Sequence, residues 1–425
     1  MTKTTVDVAQ LVEPRIVIPA VVGSSPIVHP IFLRQGSGPL AQLVEQWTLN
    51  PLVGGSIPSR PTIDSTSRAT VPFGRPLARA AFCAVVAAVM LVFPASRLHA
   101  QPREAVAAPS SSREVSAERL GDGPIIYKGM AGLEGELGDN IDGPSVIKAP
   151  SWLKSPLGKY YMYFAHHRGE YIRLAYADRP EGPWKIYGPG TLHLSQMTRC
   201  FNHVASPDVI VDDQHQRLVL YFHCPIETVG VKRDRPYAQL TFVATSKDGV
   251  NFDPNQEACA DPYLRAFLYQ GYTYALAMSD KKTAYPIWKR SGRFFRSATG
   301  MPPFEAGPRI LDEMRHAALL RRGDVLHIFY TVVGDDPERI YHSQVDLRPD
   351  WTEWTATAPT EVLRPERAYE GADLPLTQSK GGMSAGRERA LRDPAVLDDD
   401  GRLYLYYTVA GEVGIAVAQV RLGRQ

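Results

Sequence analysis

A chain of 425 residues, 44% of them hydrophobic, can bury a sizeable core as two or three average domains or as one large β domain. Its 47 Lys and Arg nearly balance 45 Asp and Glu, and a net charge of +2 excludes the marked basic excess of a phosphate-binding face, and with it a nucleic-acid partner. No apolar run has the length of a membrane span, whereas 20 Tyr and 6 Trp suit β-rich structure and sugar-binding clefts.

The N-terminal segments do not read as parts of a fold. Within residues 1–70, "AQLVEQW" and "GGSIPSR" back-translate to the D-arm and T-arm of a tRNA gene, and "VGSSPIVHP" to a second T-arm. This stretch therefore reads as a spurious extension, translated from tRNA genes, with Val71 marking the true start. Residues 71–100 read as a secretory signal: Arg75 and Arg79 precede the apolar run Ala80 to Phe93, and Ala100 offers a small residue for cleavage. Residues 101–120 read as a flexible linker. The remainder, 121–425, is the expected domain of a secreted or periplasmic protein that is free of the membrane once the signal is cleaved. Cys83 falls in the signal, so one disulfide is expected among Cys200, Cys224 and Cys259, with the pairing open.

From Asp142 onward the chain repeats itself. The segments "DGPSVIKAPSWLKSPLGKYYMYFA", "SPDVIVDDQHQRLVLYFH", "RAFLYQGYTYALAM", "RHAALLRRGDVLHIFYT" and "RDPAVLDDDGRLYLYYT" each hold a short apolar run, a polar turn and a second run of large apolar residues. Each continues into a third run ("IRLAYA", "LTFVAT", "AYPIWKR", "RIYHSQV", "GIAVAQV"), and the first four into a fourth ("PWKIY", "VNFDP", "FEAGPRIL", "WTEWTAT"). Period-two alternation and closely spaced turns predict antiparallel strands. Five four-stranded units predict an all-β, five-bladed β-propeller. The last unit lacks a fourth strand, which "PIIYK", Pro124 to Lys128, is expected to supply.

In a propeller the first strand of every blade lines the axis, so residues at its start converge although they are far apart in sequence. Aligning the copies brings together Asp142, Asp208, Arg265, Arg315 with His316, and Arg392 with Asp393. Carboxylates, guanidinium groups and an imidazole around one cavity suit a polyhydroxylated ligand, because they hydrogen-bond hydroxyls at set angles. His166 and His167 end the second strand of the first unit, where neighbouring residues face opposite ways, so at most one can reach the cavity. His203 precedes the second unit and is placed either to reach the same pocket or to cap a loop. "SKDGVNF" resembles an Asp box, a turn-stabilising device without chemistry of its own.

Residues 121–425 resemble the five-bladed propeller glycoside hydrolases around family 43. "SPDVIVDD" is similar to the second-blade motif of that family, which implies that Asp208 orients the catalytic groups and tunes the acid. "NIDGPSVI" resembles the first-blade motif of the general base, with Asp142 displaced by Gly143. Where the family carries a third-blade Glu acid this chain has Arg265. His316 is the substitute suggested by related families, such as the neoagarobiose hydrolases, that use a histidine acid; Glu370 or Asp373 in "ERAYEGADLPL" could instead fold over the pocket mouth. Glu305 falls on an outer strand and is set aside. The resemblance implies hydrolysis of a glycosidic bond in a furanoside or related glycan, or, without catalysis, glycan binding; the chain is expected to act as a monomer. No cofactor is expected; propeller hydrolases often hold an axial cation such as calcium, but no ligand spacing here calls for one.

Overall fold

The computed structural model describes residues 19–22, 25–28, 115–227, 237–281 and 289–423. Residues 1–101 and 102–425 are separate compact units. Of the first, two short antiparallel strands are described, β1 (Pro19–Val22) and β2 (Ser25–Val28). The readings of residues 1–70 as a spurious extension and of 71–100 as a signal otherwise lie outside the described residues.

The second unit opens with β3 (Val115–Arg119) and β4 (Ile126–Tyr127), followed by five antiparallel sheets. Blade one comprises β5 (Asp142–Lys148), β6 (Tyr160–Ala165), β7 (Arg173–Ala177) and β8 (Lys185–Tyr187). Blade two is β9 (Ala205–Asp212), β10 (Arg217–Glu227), β11 (Tyr237–Ser246) and β12 (Asp253–Pro254). Blade three is β13 (Arg265–Tyr269), β14 (Tyr272–Lys281), β15 (Lys289–Ser297) and β16 (Glu305–Asp312), and blade four β17 (Met314–Arg322), β18 (Val325–Val332), β19 (Ile340–Asp346) and β20 (Thr360–Leu363). Blade five joins β21 (Arg392–Asp399), β22 (Arg402–Val409) and β23 (Gly414–Leu422) to β3. The protein is an all-β, five-bladed propeller; among the described residues the only helical pieces are short 3-10 turns.

Why the second strand of each unit is apolar at nearly every position is plain from the packing. Such a strand is covered on both faces by neighbouring blades, so alternation gives way to a continuous run. In β6, Tyr161 and Tyr163 enter the core between blades one and two, while Tyr160, Met162 and Phe164 enter that between blades five and one. In β22, Leu403, Leu405 and Tyr407 face blade four, and Tyr404 and Tyr406 face blade one.

Closure differs from the sequence expectation in one respect. Ile126 of "PIIYK" does pair with β23, at Ile415, but the full outer strand is Val115–Arg119, within the stretch expected to be a linker, which pairs with Ala418 to Leu422. Val115 is buried in the core between blades four and five, and Arg119 reaches Glu370 at 2.7 Å. The linker reading misses these contacts because their partners lie some three hundred residues away. In blade four "WTEWTAT" is a 3-10 turn at Trp351–Glu353, not the outer strand. Trp351 and Trp354 turn into the core against Tyr274 and Phe294, and Thr360–Leu363 takes the edge.

The inter-strand packing of blade four carries a pH-sensitive element. His327 Nδ1 and His342 Nε2 meet at 3.0 Å, their rings stacked and both buried. Burial lowers each imidazole to about 4. The unfolded chain therefore takes up protons first as pH falls below about 6.5, so stability is complete above that pH and is lost progressively towards pH 4. Charging each imidazole should cost about 3 kcal/mol. Melting curves between pH 7.5 and 4.5 should show a shallower pH dependence for the double variant His327→Gln, His342→Gln than for the parent chain; equal slopes would clear the pair of this role.

Candidate active site

Four of the five inner strands carry the same irregularity, and it decides which residues share the site. In β5, Asp142 pairs with Ala165 and Ser145 with Tyr163, three steps against two. The same extra residue occurs in β9 (Ala205 opposite His223, Asp208 opposite Tyr221), in β17 (Met314 opposite Val332, Ala317 opposite Tyr330) and in β21 (Arg392 opposite Thr408, Ala395 opposite Tyr406). These are β-bulges, which re-aim side chains at the strand start. Gly143 has φ +57°, and a side chain there would meet the Ser206 backbone at 3.1 Å. The corresponding Ser206 and Asp393 accept the same left-handed conformation, at φ 48° and 47°, without being glycine, a strain commonly found at functional positions.

Counted through the bulges, Asp142 is equivalent to Ala205 and Arg392, whereas Asp208 is equivalent to Ser145, Ala317 and Ala395. The expected convergence of Asp142 and Asp208 at one mouth does not occur. Asp208 lies one level deeper, accepting the Ala266 N–H at 2.7 Å and facing Arg265 Nη1 at 3.5 Å. Burial raises its carboxyl above the ordinary value, with Arg265 opposing. It borders a cavity of about 110 Å³ lined by the inner strands, including Ser145, Ala318 and Ala395. Arg265 spans the axis between the two levels, donating to the carbonyls of Ala317 (2.9 Å), Pro144 (3.3 Å) and Pro207. Its donors serve backbone carbonyls rather than a ligand.

The upper level is a ring of side chains to which every blade or its lead-in contributes. Blade one supplies Asp142 and His167, joined Oδ2 to Nδ1 at 2.8 Å. The lead-in and second strand of blade two supply His203 and His223, and the following connection supplies Tyr263, whose ring lies 4.3 Å from His223 and 4.4 Å from His316 by centroids. Tyr263 itself is held at φ 59°. Blade four supplies His316, whose Nδ1 meets an Asp393 oxygen of blade five. Blade five also supplies Glu412, whose Oε2 lies 3.1 Å from His167 Nδ1. His167 and Tyr263 are the partly exposed members, while Asp142, His203, His223, His316, Asp393 and Glu412 are buried.

Several buried polar atoms of the ring have no partner: Asp142 Oδ1, both ring nitrogens of His203, His223 Nδ1 and His316 Nε2. Because buried polar groups are nearly always satisfied, this density of orphans marks a site that a ligand, water or ion completes. Burial raises the Asp142 carboxyl, although His167 pulls against it. For His167 burial opposes the charge, but Asp142 and Glu412 outweigh it and lift the imidazole well above its usual value. Burial likewise opposes ionisation of Asp393, yet His316 and Arg315 hold it well below the ordinary carboxylate range. Burial lowers His203 to about 4 and His223 well below the usual imidazole value. The ring thus sets an anionic Asp393 behind His316 and two neutral imidazoles opposite.

Beneath blades four and five the expected ligand arginines serve an internal ion network. Arg392 donates to Glu338 (2.8 Å), Glu412 (3.1 Å) and Glu388 (2.6 Å). Arg315 donates to Glu338 and to the carbonyls of Lys380 and Gly382, pinning the connection between these blades. Glu370, one candidate for the pocket mouth, is fully buried against Arg119, Tyr407 and two backbone N–H groups. Asp373 is exposed beside Arg387. His166 turns away from the ring and accepts the Arg168 N–H at 2.9 Å, leaving His167 as the inward member of the pair. Glu305 lies on an outer strand, paired with Arg296.

Sequence alignment misses His223, Tyr263, Glu338 and Glu412. Glu338 and Glu412 had a usable signal, since both stand just before the third strand of their unit, in the same connection as His167. Tyr263 had none. The disulfide joins Cys200 to Cys224, three residues before His203 and one after His223, and so anchors that side of the ring; Cys259 is a buried free thiol. In the Asp box, Asp248 accepts the N–H groups of Val250 and Asn251 and closes a turn. Among the described residues, Asp142 and His167 of blade one and Glu412 of blade five form a group of possible metal ligands.

Fold and site together define a five-bladed propeller with a buried, multi-blade polar centre. The chain belongs to the family of an uncharacterized protein of Acanthamoeba polyphaga mimivirus, with which it shares 34% identity over 343 residues, 73% of this chain and 91% of that protein. No protein-family model matches the sequence. Structural neighbours include a family 43 β-xylosidase/α-arabinofuranosidase from a compost metagenome, solved with xylotriose (13% identity, 72% of this chain, 94% of that one, TM-score 0.45). Another is an endo-1,4-β-xylanase of Bacteroides thetaiotaomicron (12% identity, 65% and 89%, TM-score 0.47). A third is an N-acetylgalactosamine deacetylase of F. plautii, solved with blood group B trisaccharide (10% identity, 72% and 95%, TM-score 0.46).

Proposed function

We propose that the protein is an exported glycoside hydrolase-like propeller that cleaves a glycosidic bond in a furanoside or related glycan. The observation that carries this reading is the His316–Asp393 pair. One imidazole nitrogen lies against a carboxylate that stays ionised, and the other is buried, remote from any partner and in the same ring as an unpartnered oxygen of Asp142. With the Asp393 anion behind it, the imidazole is placed to donate a proton from its free nitrogen to a departing glycosidic oxygen. On the other side Asp142 accepts a proton from water as that water attacks the anomeric carbon, so that a proton and a hydroxyl add across the bond. Tyr263, His203 and His223 offer the sugar a ring face and hydrogen-bonding nitrogens.

A catalytically silent glycan-binding propeller is the second reading, favoured by the third blade, where Arg265 is committed to backbone carbonyls instead of offering an acid. Incubation with aryl furanosides and pyranosides, together with plant and algal oligosaccharides, separates the two. Release of aglycone or reducing ends supports the enzyme. Saturable binding without turnover on any substrate supports the silent module and rejects hydrolysis.

A further inference from the structure

Asp142, His167 and Glu412 meet where the first blade abuts the last. The seam is built from backbone as well: Ile141 N–H donates to the Glu412 carbonyl at 2.8 Å, and Ile141 and Val413 form a parallel bridge. Across it, Asp142 Oδ2 and Glu412 Oε2 lie 2.8 and 3.1 Å from His167 Nδ1, and each of the three residues offers one donor atom within 4.8 Å of the others. Asp142, which is 2% exposed, keeps its second oxygen without any partner.

We propose that these three side chains bind a divalent first-row transition cation, of the manganese or zinc class, that ties blade one to blade five. The donor set is two carboxylates and one imidazole, hard enough for a divalent ion and nitrogenous enough to favour the transition series over magnesium or calcium. A six-coordinate ion with bonds of about 2.1 Å places adjacent donors about 3 Å apart, which matches the observed spacings on His167. Calcium, at about 2.4 Å, needs a wider and more oxygen-rich cage.

The outer shell is in place. Asn140 holds the site from two directions, donating from Nδ2 to Glu412 Oε2 at 2.6 Å and accepting the His167 backbone N–H at 2.8 Å. Arg392 fixes the other oxygen of Glu412 at 3.1 Å. Such supports orient ligands and are as much a part of metal sites as the ligands themselves. With three protein donors the ion keeps open positions, and Asp142 Oδ1 remains available beside them.

The site does not depend on the hydrolase reading, and its test needs no substrate. Protein stripped with a chelator and dialysed should take up one equivalent of Mn²⁺ or Zn²⁺ by calorimetry, with affinity at least tenfold above that for Ca²⁺ or Mg²⁺. Its melting temperature should rise in step, because an ion that binds only the folded chain stabilises it by mass action. Glu412→Gln and His167→Asn, each retaining a folded propeller by circular dichroism, should lose both responses. Absence of stoichiometric uptake by the stripped parent protein, or uptake that persists undiminished in both variants, overturns the proposal. Either result leaves the glycan panel to be decided separately.

Discussion

His316→Ala should lower kcat by two to four orders of magnitude on substrates whose leaving group needs a proton, the range for loss of a general acid. The loss should shrink sharply on a dinitrophenyl glycoside, whose departing phenolate needs none. Asp393→Asn should fall between these limits: it leaves the imidazole in place but removes the anion that His316 faces across Nδ1. Asp142→Asn should cost a comparable factor that no leaving group rescues, because the water-activating step remains impaired. Steady-state kinetics with paired good and poor leaving groups decide the matter. Equal losses on both substrates for His316→Ala would remove it from the acid role, and unchanged rates for His316→Ala and Asp142→Asn would reject the ring as the reaction centre. Asp208→Asn is the contrasting case. Sitting a level deeper, against Arg265 and the Ala266 N–H, it should lower stability more than it alters the pH profile.

Removal of residues 115–119 should have the largest effect on stability. This strand lies along β23 over its whole length, from Val115 opposite Leu422 to Arg119 opposite Ala418, and without it the last blade exposes an unpaired edge and the core behind Val115. An exposed edge of this kind invites association with other chains, so aggregation on expression or heating is the expected outcome. A single substitution isolates one part of the effect. Arg119 bonds Glu370 through Nε at 2.7 Å and Nη2 at 2.9 Å, with Glu370 fully buried. Arg119→Ala leaves that buried carboxylate with Tyr407 and two backbone N–H groups but without its counter-charge, a change that typically costs about 3 kcal/mol. The variant should melt several degrees below the parent, with Arg119→Lys intermediate. A shortened chain that stays monomeric and melts like the parent would show that Ile126–Tyr127 suffices to close the ring.

Much of the architecture was legible in the sequence because strand structure is a local property. Each unit repeats its apolar runs and polar turns within about forty to sixty residues, and second strands such as "KYYMYFA" are apolar on both faces only when neighbours cover both. Blade number, strand order and the central position of Asp142, His316 and Asp393 follow from that pattern. What the chain did not disclose are the places where a distant partner or an inserted residue overrides the local period. Val115–Arg119 looks like linker because its mate is β23. "WTEWTAT" looks like a strand, but two tryptophans gain more by entering the core than by pairing at the edge. Asp142 and Asp208 occupy positions three residues apart on equivalent strands, Asp142 matching Ala205 and Asp208 matching Ser145, so the two carboxylates lie at different levels although their motifs look alike in sequence. Glu412, His167 and Asp142 meet only because closing the ring brings its first and last blades side by side. Side-chain identity and alternation were written locally; which carboxylates face one another was decided by bulge register and ring closure, which exist only once all five blades have packed.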